Sequence, residues 1–435
     1  MKNDYDRDDA SATSKPSPAR RAFLTRGTAV AGAAAAGALA SVAPRAAAAA
    51  ESPAFGAAPW QTVPGAPMRG YGLPSRFEEA VKRYIARGYG DLAPGSGSSR
   101  TPLEALDGTI TPNGLHFERH HNGVPDIDPA QHRLLIHGLV RRPLVFTLPA
   151  LLRYPRVSRV HFIECSGNSN QAILAPQPLQ VPAGALHGLL SCSEWTGIPL
   201  AALLDEAGID PAATWLLAEG ADAASMTRSI PLEKAMDDAM LVFFQNGERL
   251  RPEQGYPVRL LLPGWEGNMN VKWLRRLKLT DGPTHTKDET SKYTDPLRDG
   301  KARQFTFEMG VKSVITRPSS GMTLPERGFQ EITGLAWCGA GRISRVEVST
   351  DGGESWRSAA LHGAHLPKAL VRFRLPWEWN GAPAMLQSRA FDEKGNTQPV
   401  RNAYLADYAP DIRFHNNSII TWAVNADGSV KNVYV

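Results

Sequence analysis

Apolar positions along the chain recur on two different periods, and the change from one to the other divides it. Between residues 74 and 88, Phe77, Val81 and Ile85 repeat at a spacing of four, which predicts a helix inside an otherwise extended arm rich in Pro, Gly, Ala and Ser over residues 51–100. From Thr111 the pattern tightens: a Pro-Asn-Gly turn leads into a short strand with a polar cluster from Phe117 to His121. Residues 131–140 and 159–163 read as strands, 148–154 as a short helix, and 200–207 as a helix stopped by Gly208. Further strands are predicted over 214–218, 240–246, 256–262 and 271–279, the third an apolar run interrupted by Arg259. Residues 280–304 are polar, with no periodicity. Beyond Val311 short alternating strands follow, over 331–337, 343–349, 372–375 and 384–391. An Asp351-Gly352 hairpin turn stands ahead of Trp356, a ring expected to pack inside. Helices and strands do not alternate, which argues against a doubly wound sheet and for an α+β chain: a mixed α/β domain over 101–305, then an immunoglobulin-like β-sandwich over 306–435.

The first fifty residues are set apart. Arg20-Arg21 precede an Ala/Gly-rich, weakly apolar stretch over 27–40, with small residues at 46–50. Twin arginines in this setting predict a twin-arginine (Tat) export signal and a periplasmic destination. The apolar run is too short for a membrane anchor. Export of already folded protein by that route hints at a cofactor loaded beforehand. Residues 1–50 carry seven Lys/Arg and four Asp/Glu, a net +3 of the chain's +5, so the remainder is near +2 and shows no bias toward nucleic acid or membrane. Hydrophobic content of 42% and charged content of 21% are those of a globular protein. Cys165, Cys192 and Cys338 are too few for a disulfide framework. With no Cys-x-x-Cys-His there is no covalent haem site, and with no Cys-x-x-Cys no zinc or redox pair of that type.

The candidate chemistry centres on Cys165, placed between a strand and a Ser166-Gly167-Asn168 turn and so held firmly beside a loop-lined space. On its own such a cysteine is most often a small buried apolar residue. Other segments give it company. Arg259 interrupts an apolar strand and should have an anionic partner. The Gly-rich loop at 263–268, with Lys272 beyond, suits a phosphate. A thiolate is a soft ligand for a transition metal. A cysteine ligand, a phosphate site and a nearby arginine fit a metal carried on a phosphorylated organic cofactor.

Glu164-Cys165-Ser166-Gly167-Asn168, Thr111-Pro112-Asn113 leading to Arg119, and Gly255-Tyr256-Pro257-Val258-Arg259 with Pro263-Gly264 and Val271-Lys272-Trp273 resemble the sulfite oxidase family of molybdenum enzymes, in the same order, over roughly residues 100–430. The stretch from Val348-Ser349 to Trp356 resembles that family's C-terminal dimerisation domain. The resemblance implies a molybdenum-molybdopterin cofactor, with Cys165 as the metal's thiolate ligand and Arg119 beside metal and substrate. Tyr293 is the match to the active-site tyrosine. Phe117, Glu118, Arg119, His120, His121, Asp222, Gln254, Arg259, Asn270, Val271 and Lys272 would hold the pterin and its phosphate. Gln254 stands where animal relatives have histidine. Asn170 stands where sulfite-oxidising relatives have arginine, which leaves Arg119 with fewer cationic companions.

The run from Cys165 to Gln171 and on to Trp195 is most similar to the sulfane-dehydrogenase branch. That implies sulfane sulfur on a carrier protein as substrate in thiosulfate oxidation, a c-type cytochrome subunit as electron acceptor, no haem in this chain, and a homodimer or heterotetramer. A sulfite dehydrogenase acting on free sulfite is the alternative within this class. A cofactor-free periplasmic binding or adhesion protein with an immunoglobulin-like domain is the alternative outside it.

Overall fold

The computed structural model describes residues 58–86 and 94–435. The export signal expected over 1–50 lies outside them. The chain divides into two units, residues 1–72 and 73–435. Of the first, the described part is a largely exposed segment with one 3-10 turn, Pro59–Gln61.

In the second unit, the helix expected at 74–88 is not present. The segment holds a 3-10 turn, Arg76–Glu78, and a strand, Tyr84–Ala86. Phe77 and Ile85 are 79% and 83% exposed, so the spacing of four has no core to face. Tyr84–Ala86 instead opens a three-stranded antiparallel sheet with Gly97–Arg100 and Glu118–His120, in which Ser98 faces Arg119.

Two five-stranded sheets follow. One is antiparallel and carries Val157–Glu164, Leu190–Pro199, Met240–Gln245, Glu248–Arg249 and Arg259–Leu261. The other is built on Arg133–Gly138 and Leu274–Thr280, paired in parallel, and is extended by Leu144–Thr147, Trp215–Gly220 and Thr227–Pro231. They share one core. Ile198, Leu241, Phe243 and Leu260 from the first meet Leu134, Ile136, Leu216 and Leu277 from the second, with Leu200, Leu203 and Leu204 of the helix Leu200–Ala207. The apolar spacing of that helix puts these leucines on one face.

Strands of four and five stack as the C-terminal β-sandwich. Lys312–Arg317, Gly328–Trp337, Val371–Trp379 and Ala360–His362 form one sheet. Ile343–Ser349, Ala384–Asp392, Thr421–Val424, Val430–Val433 and Arg357–Ser358 form the other. The two domains meet on an apolar seam in which Phe162, Leu190 and Cys192 of the first pack on Val314, Leu335 and Trp337 of the second. Burying each such large side chain contributes about 1.5–3 kcal/mol, enough to hold the sandwich against the back of the Cys165 strand.

Candidate active site

The second half of the strand Val157–Glu164, from His161 on, is buried on both faces, Phe162 in the seam and Ile163 among Phe117, Trp195 and Leu261. It therefore delivers its last residue and Cys165 to a fixed point. The turn beyond is tied down by side chains. Glu164 Oε1 accepts from Asn168 Nδ2 at 2.9 Å and from Lys312 Nζ at 3.1 Å, and its Oε2 accepts from Trp337 Nε1 at 2.6 Å. Lys312 also donates to Ser169 Oγ at 2.8 Å. Asn168 Oδ1 accepts from the Leu189 amide at 3.1 Å. Below the cysteine runs the loop holding Gly267, where a Cβ would stand 2.9 Å from the Glu164 carbonyl oxygen. Only glycine lets that loop pass so close.

Cys165 borders two spaces. The first is a cavity lined by Phe117, Glu118, Arg119, His120, His121, Asp222, Gln254, Arg259, Val271, Lys272 and Tyr293, among others. These are almost all the residues expected to hold a cofactor, brought together from segments more than a hundred residues apart. Asn270 is the exception. Its side chain points into the loop, accepting from the Leu262 amide at 2.7 Å and donating to the carbonyls of Trp265 and Glu266. Its carbonyl accepts from Arg259 at 3.0 Å, so it sets the arginine in place rather than lining the cavity. His116, Met226, Gly267, Asn268 and Trp273 line the cavity too and were not foreseen.

The electrostatics of this cavity call for an anion. Arg259 is buried, and its guanidinium donates only to the Gln254 carbonyl and side-chain oxygens and the Asn270 carbonyl, leaving Nε without a partner. Among the described residues no carboxylate pairs with it, which leaves the expected anionic partner to a bound group. Burial lowers Arg259 to about 9, and pushes Lys272 well below its usual range, with Arg259 adding to the effect. Lys272 Nζ donates to the carbonyls of Arg119 and Glu253 and meets His120 Nδ1 at 2.9 Å. His120 and His121 are both held near 3, by burial and then by neighbouring cations, and so are neutral imidazoles. Glu118 is already paired with Arg83 and His120. A phosphate is the group this corner lacks, and its arrival would relieve the desolvated cations. Gly255, at φ +107° with Arg259 and Lys272 Cβ atoms 3.1 Å from where its own would be, allows the two cations to lie side by side.

Tyr293 closes the cavity. Its hydroxyl stands 3.2 Å from His121 Nε2, its ring lies 5.1 Å from the Arg228 guanidinium, and burial raises it above its usual value, so the phenol keeps its proton. Its amide donates to the Asp288 carbonyl at the helix Lys287–Thr290. Among the described residues no group of three or more His, Cys, Asp or Glu could hold a metal ion, so a metal at Cys165 depends on ligands from an organic group.

The second space opens to solvent and contains Asn170 with Cys165, Arg119 and Tyr293. Asn170 is neutral, and the other cations lining this mouth with Arg119 are Arg100, Lys292 and Arg413. They come from an N-terminal strand, the segment before Tyr293 and a loop past residue 410, and nothing near Cys165 in sequence announces them.

Residues 121–287 match the oxidoreductase molybdopterin binding domain family and residues 303–419 the Mo-co oxidoreductase dimerisation domain family. The chain belongs to the sulfite oxidase family of molybdenum enzymes and is a molybdenum-dependent oxidoreductase. Among solved structures it resembles the sulfane dehydrogenase SoxCD from Paracoccus pantotrophus, at 48% identity and a TM-score of 0.84, over 87% of this chain and 97% of that one. Two plant proteins are also similar. The NADH nitrate reductase of Cichorium intybus is 32% identical over 69% of this chain and 37% of its own length, and nitrate reductase 1 of Arabidopsis thaliana is 32% identical over the same shares. The chain thus spans well under half of these curated relatives.

Proposed function

We propose that this chain is the molybdenum subunit of a periplasmic sulfane dehydrogenase. It oxidises sulfane sulfur carried on a partner protein and passes electrons to a c-type cytochrome subunit. The observation that carries this reading is the 48% identity across 97% of the sulfane dehydrogenase chain, against 32% across 37% of a nitrate reductase. The open mouth supports it, since Cys165 borders a space that opens to solvent, as a substrate held on another protein requires.

The bound molybdenum-pterin group supplies oxygen transfer to sulfur and the two-electron change. The chain's own residues do the rest. Cys165 would hold the metal. Arg259 and Lys272 would bind the phosphate end of the pterin, with Phe117 to His121 and Gln254 beside it. Arg119 donates from Nη1 to the carbonyls of His120 and Gly97, which fixes the side chain. Its remaining N–H groups would be free to meet an anionic substrate group beside Cys165. Tyr293, protonated at neutral pH, donates a hydrogen bond and does not act as a base. Asn170 leaves the wall beside the cysteine neutral.

The test compares kcat/KM for free sulfite and for carrier-bound sulfane on the complex with its cytochrome partner. Preference for the carrier is expected. A value near 10⁶ M⁻¹s⁻¹ on free sulfite, in the usual range for an enzyme on its own substrate, would replace the sulfane reading with a sulfite dehydrogenase. The purified single chain is expected to show no cytochrome absorption.

A further inference from the structure

We propose that Arg100, from outside every motif that marks this site, binds the anionic sulfur group of the substrate beside Arg119. The inference rests on the reading above only for the nature of that anion.

The strand Gly97–Arg100 pairs with Glu118–His120 so that Ser98 faces Arg119. Side chains two apart on a strand share a face, so Arg100 lies on the Arg119 side, one diagonal step along. Both arginines line the open mouth, together with Cys165 and Asn170. Lys292 and Arg413 are exposed there, whereas Arg100 is half-buried.

Arg100 is also unpaired. Arg83, Arg276 and Arg317 each meet a carboxylate, on Glu118, Glu219 and Asp107. Arg100 has no ion pair among the described residues, and its Nε is buried with no hydrogen-bond partner. Burial lowers it, and the one acid that works against this is the Cys165 thiol. A half-desolvated guanidinium kept next to the reacting centre without a counter-charge is costly unless an anion visits it. A sulfur oxyanion and a persulfide terminus share the chemistry it would recognise, a negative group that accepts paired N–H bonds. Among the described residues Asp411 is the sole carboxylate lining the same mouth, and it makes no ion pair with Arg100.

The test uses the complex loaded with molybdenum, with metal content measured for each variant. Arg100→Gln is expected to raise KM for free sulfite about ten- to hundredfold, the usual effect of one lost charge-assisted contact, with kcat within about threefold. Arg100→Lys, which keeps the charge and loses the fork, should recover part of it. An unchanged KM, a fall in kcat alone, or a lysine variant no better than glutamine would overturn the proposal. A KM rise confined to carrier-bound substrate would place Arg100 on the carrier surface and overturn it as well. Wild-type preference between sulfite and carrier decides the sulfane reading separately, since that comparison involves no Arg100 variant. Should the glutamine variant fail to load metal, competition by sulfate against sulfite in Arg100→Lys gives the same answer. Weaker competition than in the wild type supports the contact, and equal competition overturns it.

Discussion

Replacing Lys312 with methionine tests how the sandwich supports the site. Lys312 and Glu164 have side chains 2% and 1% exposed and meet at 3.1 Å across the domain boundary. Burial lowers the Lys312 ammonium, and Glu164 opposes that by holding the proton on. Removing one partner of a buried pair typically costs about 3–5 kcal/mol, because the other charge is left uncompensated. Glu164 would keep two donors, Asn168 and Trp337, which places the expected cost for Lys312→Met at the lower end, about 3 kcal/mol. Neutralising the glutamate as well, in Lys312→Met with Glu164→Gln, should return about 1–2 kcal/mol of this, a coupling expected only of groups in contact. Urea unfolding of the four members of the cycle, followed by tryptophan fluorescence, gives both quantities. A single-variant cost under about 1 kcal/mol, or a double variant equal to the sum of the singles, would refute the argument that this charge pair is what braces the Cys165 turn.

Cys165→Ser, nearly isosteric, should keep the fold and the melting temperature while abolishing turnover, since a harder oxygen ligand suits the metal poorly; near wild-type activity would remove Cys165 as the ligand. Asn170→Arg should lower KM for free sulfite by about tenfold and slow the carrier reaction, both read from steady-state kinetics, and an unchanged ratio of the two would sink the role given to that position. His415 supplies a pH test. Burial alone would lower its imidazole, but Glu266 at 3.5 Å and Asp295 at 3.8 Å outweigh that and raise it. The charged form is therefore stabilising, fully so below about pH 6.5, and the contribution fades as pH climbs through the raised folded value. Melting curves of wild type and His415→Gln should differ most on the acid side and converge at alkaline pH; a gap that widens with pH contradicts the assignment.

Much of the site could be read from the chain because its local signals are strong. The strand ahead of Cys165, the glycine turn after it and an arginine inside an apolar strand each break a pattern in a way that has a physical cause. The helix at 74–88 was misread for the opposite reason: a spacing of four predicts a helix only when one face is buried, and Phe77 and Ile85 are exposed. The stretch 280–304 had a legible signal that periodicity does not reveal. Thr286 and Glu289 form a capping box that starts the helix Lys287–Thr290, from which Tyr293 hangs. Arg100 and Arg413, which line the mouth with Asn170, could not be read from the motif because they lie far off in sequence and only folding brings them near. Lys312 belongs to the same class, 148 residues from the glutamate it neutralises.

That long reach has a consequence for how the protein is made. Every residue expected to grip the pterin has left the ribosome once Tyr293 has, yet Lys312, Trp337 and the His415 amide that binds the Ser166 carbonyl have not. Until they arrive, Glu164 has neither Lys312 nor Trp337, and the Cys165 turn keeps the ties made within the first domain, among them Asn168 to Glu164 and Ser169 to His187. Metal insertion is therefore expected to be late in biosynthesis, and a chain truncated near residue 300 should take up far less molybdenum than one released whole.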